Sequence, residues 1–328
     1  MTEVPIYAPP TPPFRYTSSK ITFIDPLSFP KYRLRHFTSA QALGDFLSNR
    51  HMGCYGEQQL VLYGILLALT QAQHDTSTAL IADLTIWSTF FTTKLAHNPT
   101  LTPLLARVKK TLTKHKKKPV PSILSLFKQE VTHFAEDHLT ATNKIGALTA
   151  NLSMSGAGIL LFGPGSHIQQ GGIGTSYAFL KHLTEKNTPG QLYFYDPDEV
   201  QHAITRHLLK DMKVPFSIIT AEDIPRLMFS GQIHLTLLAA DTIRANGSAI
   251  TKNGGHLLNV LSYTQNTPSF ICGPLSGCDT TITHPETPIN DVQSLTDYQD
   301  YISASQTFAF ITDLGILMPA DLKTIKQT

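Results

Sequence analysis

The chain has 328 residues, of which 41% are apolar and only 15% are charged, and its formal net charge is +2. This length suits two domains, or one large α/β domain with an appended unit, and the apolar content is sufficient for well-packed cores. With so small a net charge, the composition gives no general case for binding to nucleic acid or to a membrane.

Cysteine usage and the apolar runs predict a soluble protein of the cytoplasm. The three cysteines, Cys54, Cys272 and Cys278, form no CxxC pair and are too scattered for a disulfide framework. The proline-rich start, residues 1–16, lacks the basic and apolar segments of a signal peptide. The longest apolar run, Leu60–Leu69, is about half of what spans a bilayer.

The first half of the chain is predicted to be helical. A proline-rich extended arm over residues 1–30, with a short strand at Ile21–Ile24, precedes a helical domain over residues 31–152. Apolar residues recur there at spacings of three and four over Ala40–Asn49, Gly56–Gln73, Thr78–His97 and Ser122–Asn151. The basic segment Arg107–Lys118 is either a solvated helix end and loop or a contact for phosphate or an acidic partner.

From Gly158 on, six short apolar runs alternate with helical segments, a pattern typical of βα units and a mostly parallel sheet. The runs are Ile159–Phe162, Leu192–Tyr195, Phe216–Ile219, His234–Ala239, Ser269–Cys272 and Thr307–Ile311. We therefore predict an α/β chain in which a Rossmann-like domain of about six strands, residues 153–328, carries the functional site.

A glycine-rich loop follows the first of these strands and precedes a helix near Ser176–Lys186. Glycines let the backbone approach a ligand, and the helix N-terminus offers N–H groups to an anion. The GxGxxG dinucleotide fingerprint is absent, because Ile168 occupies the third glycine position, and so is the lysine of a P-loop. The loop is either a cradle for phosphate or carboxylate or a tight turn. Its candidate binding residues are Gly163, Gly165, Ser166, Gly172, Gly174 and Thr175.

The fourth strand runs directly into Asp241. Ligands bind outside the carboxyl ends of the strands in an open α/β sheet, which makes Asp241 the candidate acid or base. After the turn Ala245–Gly247 the chain returns to Lys252, which could hold a substrate anion or stabilise the charged carboxylate. The alternative is an aspartate that caps the next segment and a surface lysine. Asn246 and Thr251 complete this candidate substrate-binding group.

Two further residues are candidates for proton transfer. His167 lies within the glycine-rich loop. Cys54 follows Gly53, a candidate binding residue, and is either reactive or a buried inert thiol. Cys272 is expected to be a small core residue. No metal or other cofactor is expected, since no histidine or second cysteine pair shares the spacing of Cys272 and Cys278.

Four segments match the motifs of one family in order and spacing. Ala240–Gly247 reads Ala-Asp-Thr-Ile-Arg-Ala-Asn-Gly, similar to Gly-Ala-Asp-Arg-Ile-Ala-Ala-Asn-Gly, and continues through Lys252 and Gly254. The others are Phe270–Ser276 with Asp279, Gly172–Thr175 and Asn143–Gly146. Over about residues 35–325 the chain thus resembles the family of methylthioribose-1-phosphate isomerases, ribose-1,5-bisphosphate isomerases and the regulatory α, β and δ subunits of eukaryotic initiation factor 2B.

The resemblance implies a role for Asp241, but the cysteine and arginines that accompany this aspartate in the family are absent from the chain. In the isomerases of the family, an aspartate and a cysteine handle protons while the sugar opens and the aldose becomes a ketose. Gly163 stands in place of that cysteine, Met52–Tyr55 replaces an Arg-Gly-Ala-Pro loop, and Asp75–Ala79 replaces a Ser-Arg-Pro-Thr-Ala motif. An arginine is also replaced by an acid within Tyr195–Glu199.

Two lost arginines, at roughly 1.5–3 kcal/mol each, weaken phosphate binding by about two to four orders of magnitude. A lost proton-transfer group slows the reaction by a further factor of about 10²–10⁴. The ordinary methylthioribose-1-phosphate reaction is therefore not expected.

Three functions agree with this pattern. The first is a diverged aldose–ketose isomerase that acts on a small polar, sugar-like substrate, with Asp241 as acid/base and Cys54 or His167 in place of the missing thiol. The second is a non-catalytic regulatory or scaffold protein resembling initiation factor 2B subunits, which also lack the cysteine. The third is a small-molecule sensor. By analogy with the family we expect a homodimer, with a small-molecule ligand and with neither nucleic acid nor a membrane as partner.

Overall fold

The computed structural model describes residues 14–25, 33–48, 54–162, 175–186, 190–195, 215–275, 278–279 and 299–324. Contacts divide the chain into two compact units, Met1–His138 and Leu139–Thr328. The boundary falls within a helix, Val120–Leu152, whose last residue is the domain limit expected from the sequence. Among the described residues, no helix is both long and apolar enough to cross a membrane.

The first unit combines a small antiparallel sheet with helices. Within the stretch expected to be an arm, residues 14–25 form two strands that continue into a third. The sheet has the order β1-β2-β3, and its strands are β1 (Phe14–Thr17), β2 (Lys20–Asp25) and β3 (Arg33–Phe37). The helices are α1 (Ala40–Leu47), α2 (Cys54–Gln71), α3 (Ser77–Lys94), α4 (Leu101–Lys114) and α5 (Val120–Leu152).

Capping and burial explain these helices. The side chains of Ser39 and Thr76 accept hydrogen bonds from Ala42 N and Ala79 N and so cap α1 and α3. Helix α2 is buried around most of its circumference, which makes it the central helix of the unit. The four helices predicted from apolar spacing are confirmed as α1, α2, α3 and α5.

Helix α4 was missed as a separate element, because its lysines hid its apolar stripe. The stripe packs into the core of the first unit and consists of Leu101, Leu104, Leu105, Val108 and Leu112. The basic segment is therefore the end of this helix followed by a short turn, as one of the two alternatives predicts, and its charges lie on the side away from the core.

The second unit is built on a mostly parallel sheet. Its strands are β4 (Gly158–Phe162), β5 (Gln191–Tyr195), β6 (Phe216–Ile218), β7 (Leu235–Arg244), β8 (Ala249–Lys252), β9 (Ser269–Cys272), β10 (Cys278–Asp279), β11 (Gln299–Ile302), β12 (Ala309–Thr312) and β13 (Gly315–Leu317). The helices in its described residues are α6 (Thr175–Glu185), α7 (Asp223–Phe229) and α8 (Gly255–Thr264), with short 3₁₀ turns at Ala304–Gln306 and Asp321–Thr324.

The strand order is that of a doubly wound fold. Neighbours along β12-β9-β7-β4-β5-β6 are all parallel, and β13 adds an antiparallel edge. Counted along the chain, the six parallel strands have the order 3-2-1-4-5-6, the arrangement of Rossmann folds. The prediction of an α/β fold with about six mostly parallel strands is confirmed.

Helices α5 and α6 approach each other closely at Gly146. A Cβ at this position would lie 2.5 Å from the backbone carbonyl carbon of Ala178 on α6. A larger residue would push the helices apart. The packing gives a structural reason for the glycine of the segment Asn143–Gly146.

Candidate functional site

The strand order reverses between β4 and β7, and ligands bind at the carboxyl ends of the strands at such a point. The two strands are paired in parallel, with Phe162 opposite Leu238. Strand β4 ends at Phe162, whereas β7 continues to Arg244 and includes Asp241. The end of β4 and Asp241 therefore lie at the same edge of the sheet.

An irregularity in the pairing of β7 with β8 places Asp241. Ala240 pairs with Thr251 and Thr242 with Ile250, so that Asp241 is the extra residue of a β-bulge. Bulges re-aim side chains and are over-represented next to active sites. Of the ten residues of β7, all of which the structure describes, Asp241 alone is half-buried and the others are buried. The bulge thus gives this carboxylate access to solvent from a rigid strand.

The turn between β7 and β8 is built by Asn246 and Gly247. Asn246 is buried, and its Oδ1 accepts hydrogen bonds from Ser248 N at 3.0 Å and Ser248 Oγ at 2.7 Å. Gly247 has φ +89°, and a Cβ there would lie 2.8 Å from Pro319. These contacts of Asn246, a predicted binding residue, stabilise the turn that returns the chain toward Asp241.

Lys252 ends β8 just before helix α8, and Asp300 fixes this junction. Asp300 pairs with Thr251 across β11 and β8, and its Oδ2 accepts hydrogen bonds from Gly254 N at 2.7 Å and His256 N at 3.1 Å. A carboxylate at a helix N-terminus satisfies free N–H groups and interacts favourably with the helix dipole. The N-terminus of α8 is therefore occupied by a side chain of the protein itself.

The two predicted binding residues of β8 differ in accessibility. Lys252 is half-buried, whereas Thr251 is fully buried under helix α8. A Cβ on Gly255 would collide with the Thr251 hydroxyl, which shows how closely the helix covers this residue. Lys252 is thus partly accessible to solvent, whereas Thr251 packs within the fold.

A buried polar group beside the hairpin was missed in the sequence. Arg244 and Asp279 are neighbours in register between β7 and β10, at 3% and 2% exposure. The Arg244 guanidinium lies 5.6 Å from the centroid of the Tyr301 ring, within cation–π distance. Charged groups are rarely buried without partners, so an arginine at the end of a mostly apolar strand was the available signal.

Most of the predicted glycine-rich loop lies outside the described residues. Gly163, Gly165, Ser166, His167, Gly172 and Gly174 lie outside the described residues, as does Gly53. Thr175 is the first residue of α6. The roles predicted for these residues stay predictions.

Burial makes the thiols of the second unit unreactive. It raises the pKa of Cys272 to about 12, with a hydrogen bond involving Thr149 acting in the opposite direction. Burial, with a contribution from the neighbouring Asp279 charge, raises the pKa of Cys278 to about 12. Both are protonated at neutral pH, and the thiolate is the reactive form. Cys272 is a small core residue, as predicted.

Cys54 begins α2 within a buried polar cluster. It is 2% exposed, and its carbonyl accepts a hydrogen bond from Asn98 Nδ2 at 2.9 Å. The same amide donates to Glu57 Oε2 at 3.0 Å, and His97 Nε2 lies 3.0 Å from that oxygen. Cys54 belongs to the first unit and Asp241 to the second. A joint catalytic role for them stays a prediction.

A pocket of about 350 Å³ lies at the other edge of the sheet, away from Asp241. It is lined by the end of α8, the start of β9 and Phe308. Asn259 links these elements, since it donates to Gln306 O at 2.9 Å and accepts from Ser269 Oγ at 2.7 Å. Its buried amide therefore serves the packing of α8 against the sheet.

Comparison with known proteins identifies the family. The model of the initiation factor 2 subunit family matches residues 58–319. The chain belongs to this family. The resemblance inferred from the motifs is thereby confirmed.

The curated relatives of this family member include isomerases. The methylthioribose-1-phosphate isomerase of Geobacter sp. (strain M21) is 28% identical over 179 residues, which cover 53% of this chain and 51% of that protein. The chain thus spans about half the length of this relative and of two similar isomerases. The protein of the same name from Albidiferax ferrireducens is 22% identical over 342 residues, covering 95% of this chain and 94% of that protein.

Solved structures of both branches share the fold. The 5-methylthioribose 1-phosphate isomerase of Pyrococcus horikoshii OT3 has a TM-score of 0.76 at 19% identity, covering 98% of each chain. The delta subunit of eIF-2B from A. fulgidus has a TM-score of 0.71 at 17% identity, covering 95% of this chain and 99% of that one. A chain of the tetrameric eIF2B-beta2-delta2 complex from C. thermophilum has a TM-score of 0.67 at 15% identity, covering 87% of this chain and 92% of that one. At these identities the likeness concerns the fold, and both an isomerase and an initiation-factor subunit are built on it.

Proposed function

We propose that the chain is a diverged aldose–ketose isomerase that acts on a small polar, sugar-like substrate with Asp241 as its acid/base group. The observation that carries the proposal is the β-bulge, which makes Asp241 the half-buried position of an otherwise buried strand. The strand ends at the edge where folds of this order bind ligands. A general acid or base needs this combination of reach and fixed position.

The reaction needs proton transfer but no external oxidant. When an aldose becomes a ketose, one hydrogen moves from C2 to C1 and one proton moves from the oxygen on C2 to the oxygen on C1. Asp241 would take the proton from one sugar oxygen and return it to the other. Lys252, half-buried at the end of the neighbouring strand, would hold a substrate oxygen.

The charges near Lys252 favour a substrate without a strongly held phosphate. Two family arginines are absent from the sequence, and the helix N-terminus that follows Lys252 is occupied by the Asp300 carboxylate. A phosphate placed there would be repelled by that carboxylate. We therefore propose an uncharged sugar or polyol-like molecule as the substrate class.

A second proton-transfer group completes the proposal. Cys272 and Cys278 are not candidates, because burial raises the pKa of each thiol to about 12, too high for proton exchange at neutral pH. Of the two groups predicted from the sequence, His167 is preferred over Cys54, since Cys54 is itself only 2% exposed. Replacing each in turn, His167 by Gln and Cys54 by Ser, would identify the residue whose loss slows turnover by about 10²–10⁴.

The test is turnover of a panel of free and phosphorylated aldoses, followed by NMR as conversion to the ketose. Asp241→Asn keeps the size of the side chain and removes its base, so turnover should fall by about 10²–10⁴. Asp137→Asn is the matched control, since Asp137 is exposed on α5 in the other unit. Unchanged turnover in Asp241→Asn would refute the assignment.

A second candidate function is a regulatory or scaffold subunit. It is favoured by Gly163, which stands where the isomerases carry their cysteine, and by the structural similarity to initiation-factor subunits. The isomerase proposal includes a cytoplasmic homodimer. Light scattering of the purified chain and native mass spectrometry of affinity-isolated material separate the two, because a homodimer supports the enzyme and a stoichiometric larger complex supports the subunit.

A small-molecule sensor is the third candidate. The half-buried Asp241 and Lys252 would bind a sugar without converting it. A thermal-shift screen that finds a ligand for a chain with no turnover would support the sensor over the enzyme.

A further inference from the structure

One face of helix α4 and the turn after it form a concentrated basic surface. Seven of the 26 lysines and arginines of the chain lie within residues 107–118, a stretch that contains no aspartate or glutamate. The rest of the chain contains the remaining 19 basic residues and all 24 acidic residues, and so carries a formal charge of −5. The basic surface consists of Arg107, Lys109, Lys110, Lys114, Lys116, Lys117 and Lys118.

The basic surface is presented rigidly. The opposite side of α4 is anchored in the core of the first unit by its buried leucines and Val108. Arg107, Lys110 and Lys114 follow at spacings of three and four and so share one face of the helix. The turn after the helix is fixed as well, since Lys116 N donates to Thr113 O at 3.2 Å and Lys118 N donates to His115 O at 2.8 Å.

The charges of this surface are not compensated within the structure. Throughout the part of the chain that the structure describes, the ion pairs involve other residues and none of the seven takes part in one. Like charges three and four residues apart on a helix repel each other and destabilise it. The helix dipole offsets this only in the last turn, at Lys114. An anion bound from outside would relieve the repulsion.

We propose that the basic surface docks a short acidic segment of a partner protein. Six of the seven residues are lysines, which act as point charges and lack the planar fork with which arginine reads bases and phosphates. Residues 101–122 contain no Phe, Tyr or Trp on which nucleic-acid bases could stack. A long polyanion that extends past the surface would meet a chain that is otherwise net negative. A short acidic peptide fits this confined patch best.

A membrane is the less suitable partner. Anionic lipids also attract lysine clusters, but stable binding needs a second signal such as an inserted apolar side chain. The large apolar side chains that are exposed in the described residues lie elsewhere, for example Ile86 and Phe229. Residues 107–118 offer charge alone.

The test uses the full-length chain and a labelled decaglutamate peptide, followed by fluorescence anisotropy at low and high salt. The variant Lys110→Gln/Lys114→Gln/Lys117→Gln should bind about tenfold more weakly, and its binding should depend less on salt. The control, Lys128→Gln/Lys181→Gln/Lys323→Gln, removes the same charge from exposed positions elsewhere. It should bind within about twofold of the wild type, by the same reasoning on distant charges.

Three results would overturn the proposal. One is equal binding by the two triple variants. The others are tighter binding of a single-stranded RNA of equal charge, or binding to phosphatidylserine vesicles without binding to the peptide. The α4 variant loses repulsion and should melt no lower than the wild type, which keeps the comparison valid. Asp241→Asn should leave peptide binding unchanged, so this proposal and the isomerase proposal can fail separately.

Discussion

The β7–β8 hairpin and the start of α2 each carry a predicted reactive group, in two different environments. Asp241 is half-buried at a bulge, at the sheet edge where ligands bind. Cys54 is almost fully buried, and the polar groups around it bond to one another. A reactive residue type in a glycine-flanked position is therefore a better candidate for chemistry where the backbone also exposes its side chain. The hairpin has the features of a site, and the α2 cluster has those of a structural support.

The largest effect is expected from breaking the α2 cluster. Glu57→Ala removes a fully buried carboxylate, so the His97 ring nitrogen and the Asn98 side-chain amide lose the oxygen that they contact. The free energy of unfolding should fall by about 2–4 kcal/mol, because buried polar groups lose their partner. Urea denaturation measures this, with the exposed Glu136→Ala as control. A loss no larger than that of the control would show that the cluster supports little.

The hairpin turn should be the next most sensitive. Gly247→Ala forces an alanine into φ +89° and against Pro319, which should lower the free energy of unfolding by about 2 kcal/mol or more. Gly231→Ala is the matched control, since it also has positive φ, at +68°, but has nothing near its Cβ position. It should lower the free energy by only about 1 kcal/mol. Equal losses would mean that the contact with Pro319 is unimportant.

Asp300 links the stability of the second unit to the candidate site, because it caps the helix that follows Lys252. Asp300→Asn removes the charge at the start of α8 and should lower the free energy of unfolding by about 0.5–1 kcal/mol. It should also raise the KM of the substrate, since the segment after Lys252 becomes less ordered. Asp223→Asn is the control, as Asp223 Oδ2 accepts from Thr220 N at 3.0 Å after β6, which lies three strands from β7 in the sheet. A KM raised equally by both variants would contradict this role of Asp300.

The smallest effect concerns the buried thiol of Cys272. Its pKa is raised from an ordinary value of 9.0 to about 12, so the folded state holds the proton more tightly than the unfolded state. The stability from this group is fully present below pH 9 and is lost as the pH rises toward 12. The difference in unfolding free energy between the wild type and Cys272→Ala should therefore shrink above pH 9 in urea titrations. A difference independent of pH would show that the thiol is not buried as described.

The parallel sheet could be predicted from the sequence, whereas the details of the site could not. Six apolar runs identified the parallel strands, and the strand before Asp241 pointed to the ligand-binding edge. The bulge depends on the register between β7 and β8, which no local pattern encodes. The cap of α8 comes from Asp300, far along the chain from Gly254 and His256.

Helix α4 and the pairing of Arg244 with Asp279 could not be predicted from residue composition either. The lysines of Arg107–Lys118 masked the apolar stripe of α4, so this helix, which the segment ends, was not predicted as a separate element. Arg244 and Asp279 belong to two separate sequence motifs, and their pairing across β7 and β10 follows from the fold alone. In both cases the residue composition of a segment does not show which side of the helix or which neighbouring strand a residue contacts.

The role of Asp241 is tested most directly by a crystal structure of the chain soaked with a sugar that it converts or binds. We expect ligand density within hydrogen-bond distance of the Asp241 carboxylate, near the end of β7. Density confined to the pocket beside Asn259 and Phe308, at the other edge of the sheet, would contradict it.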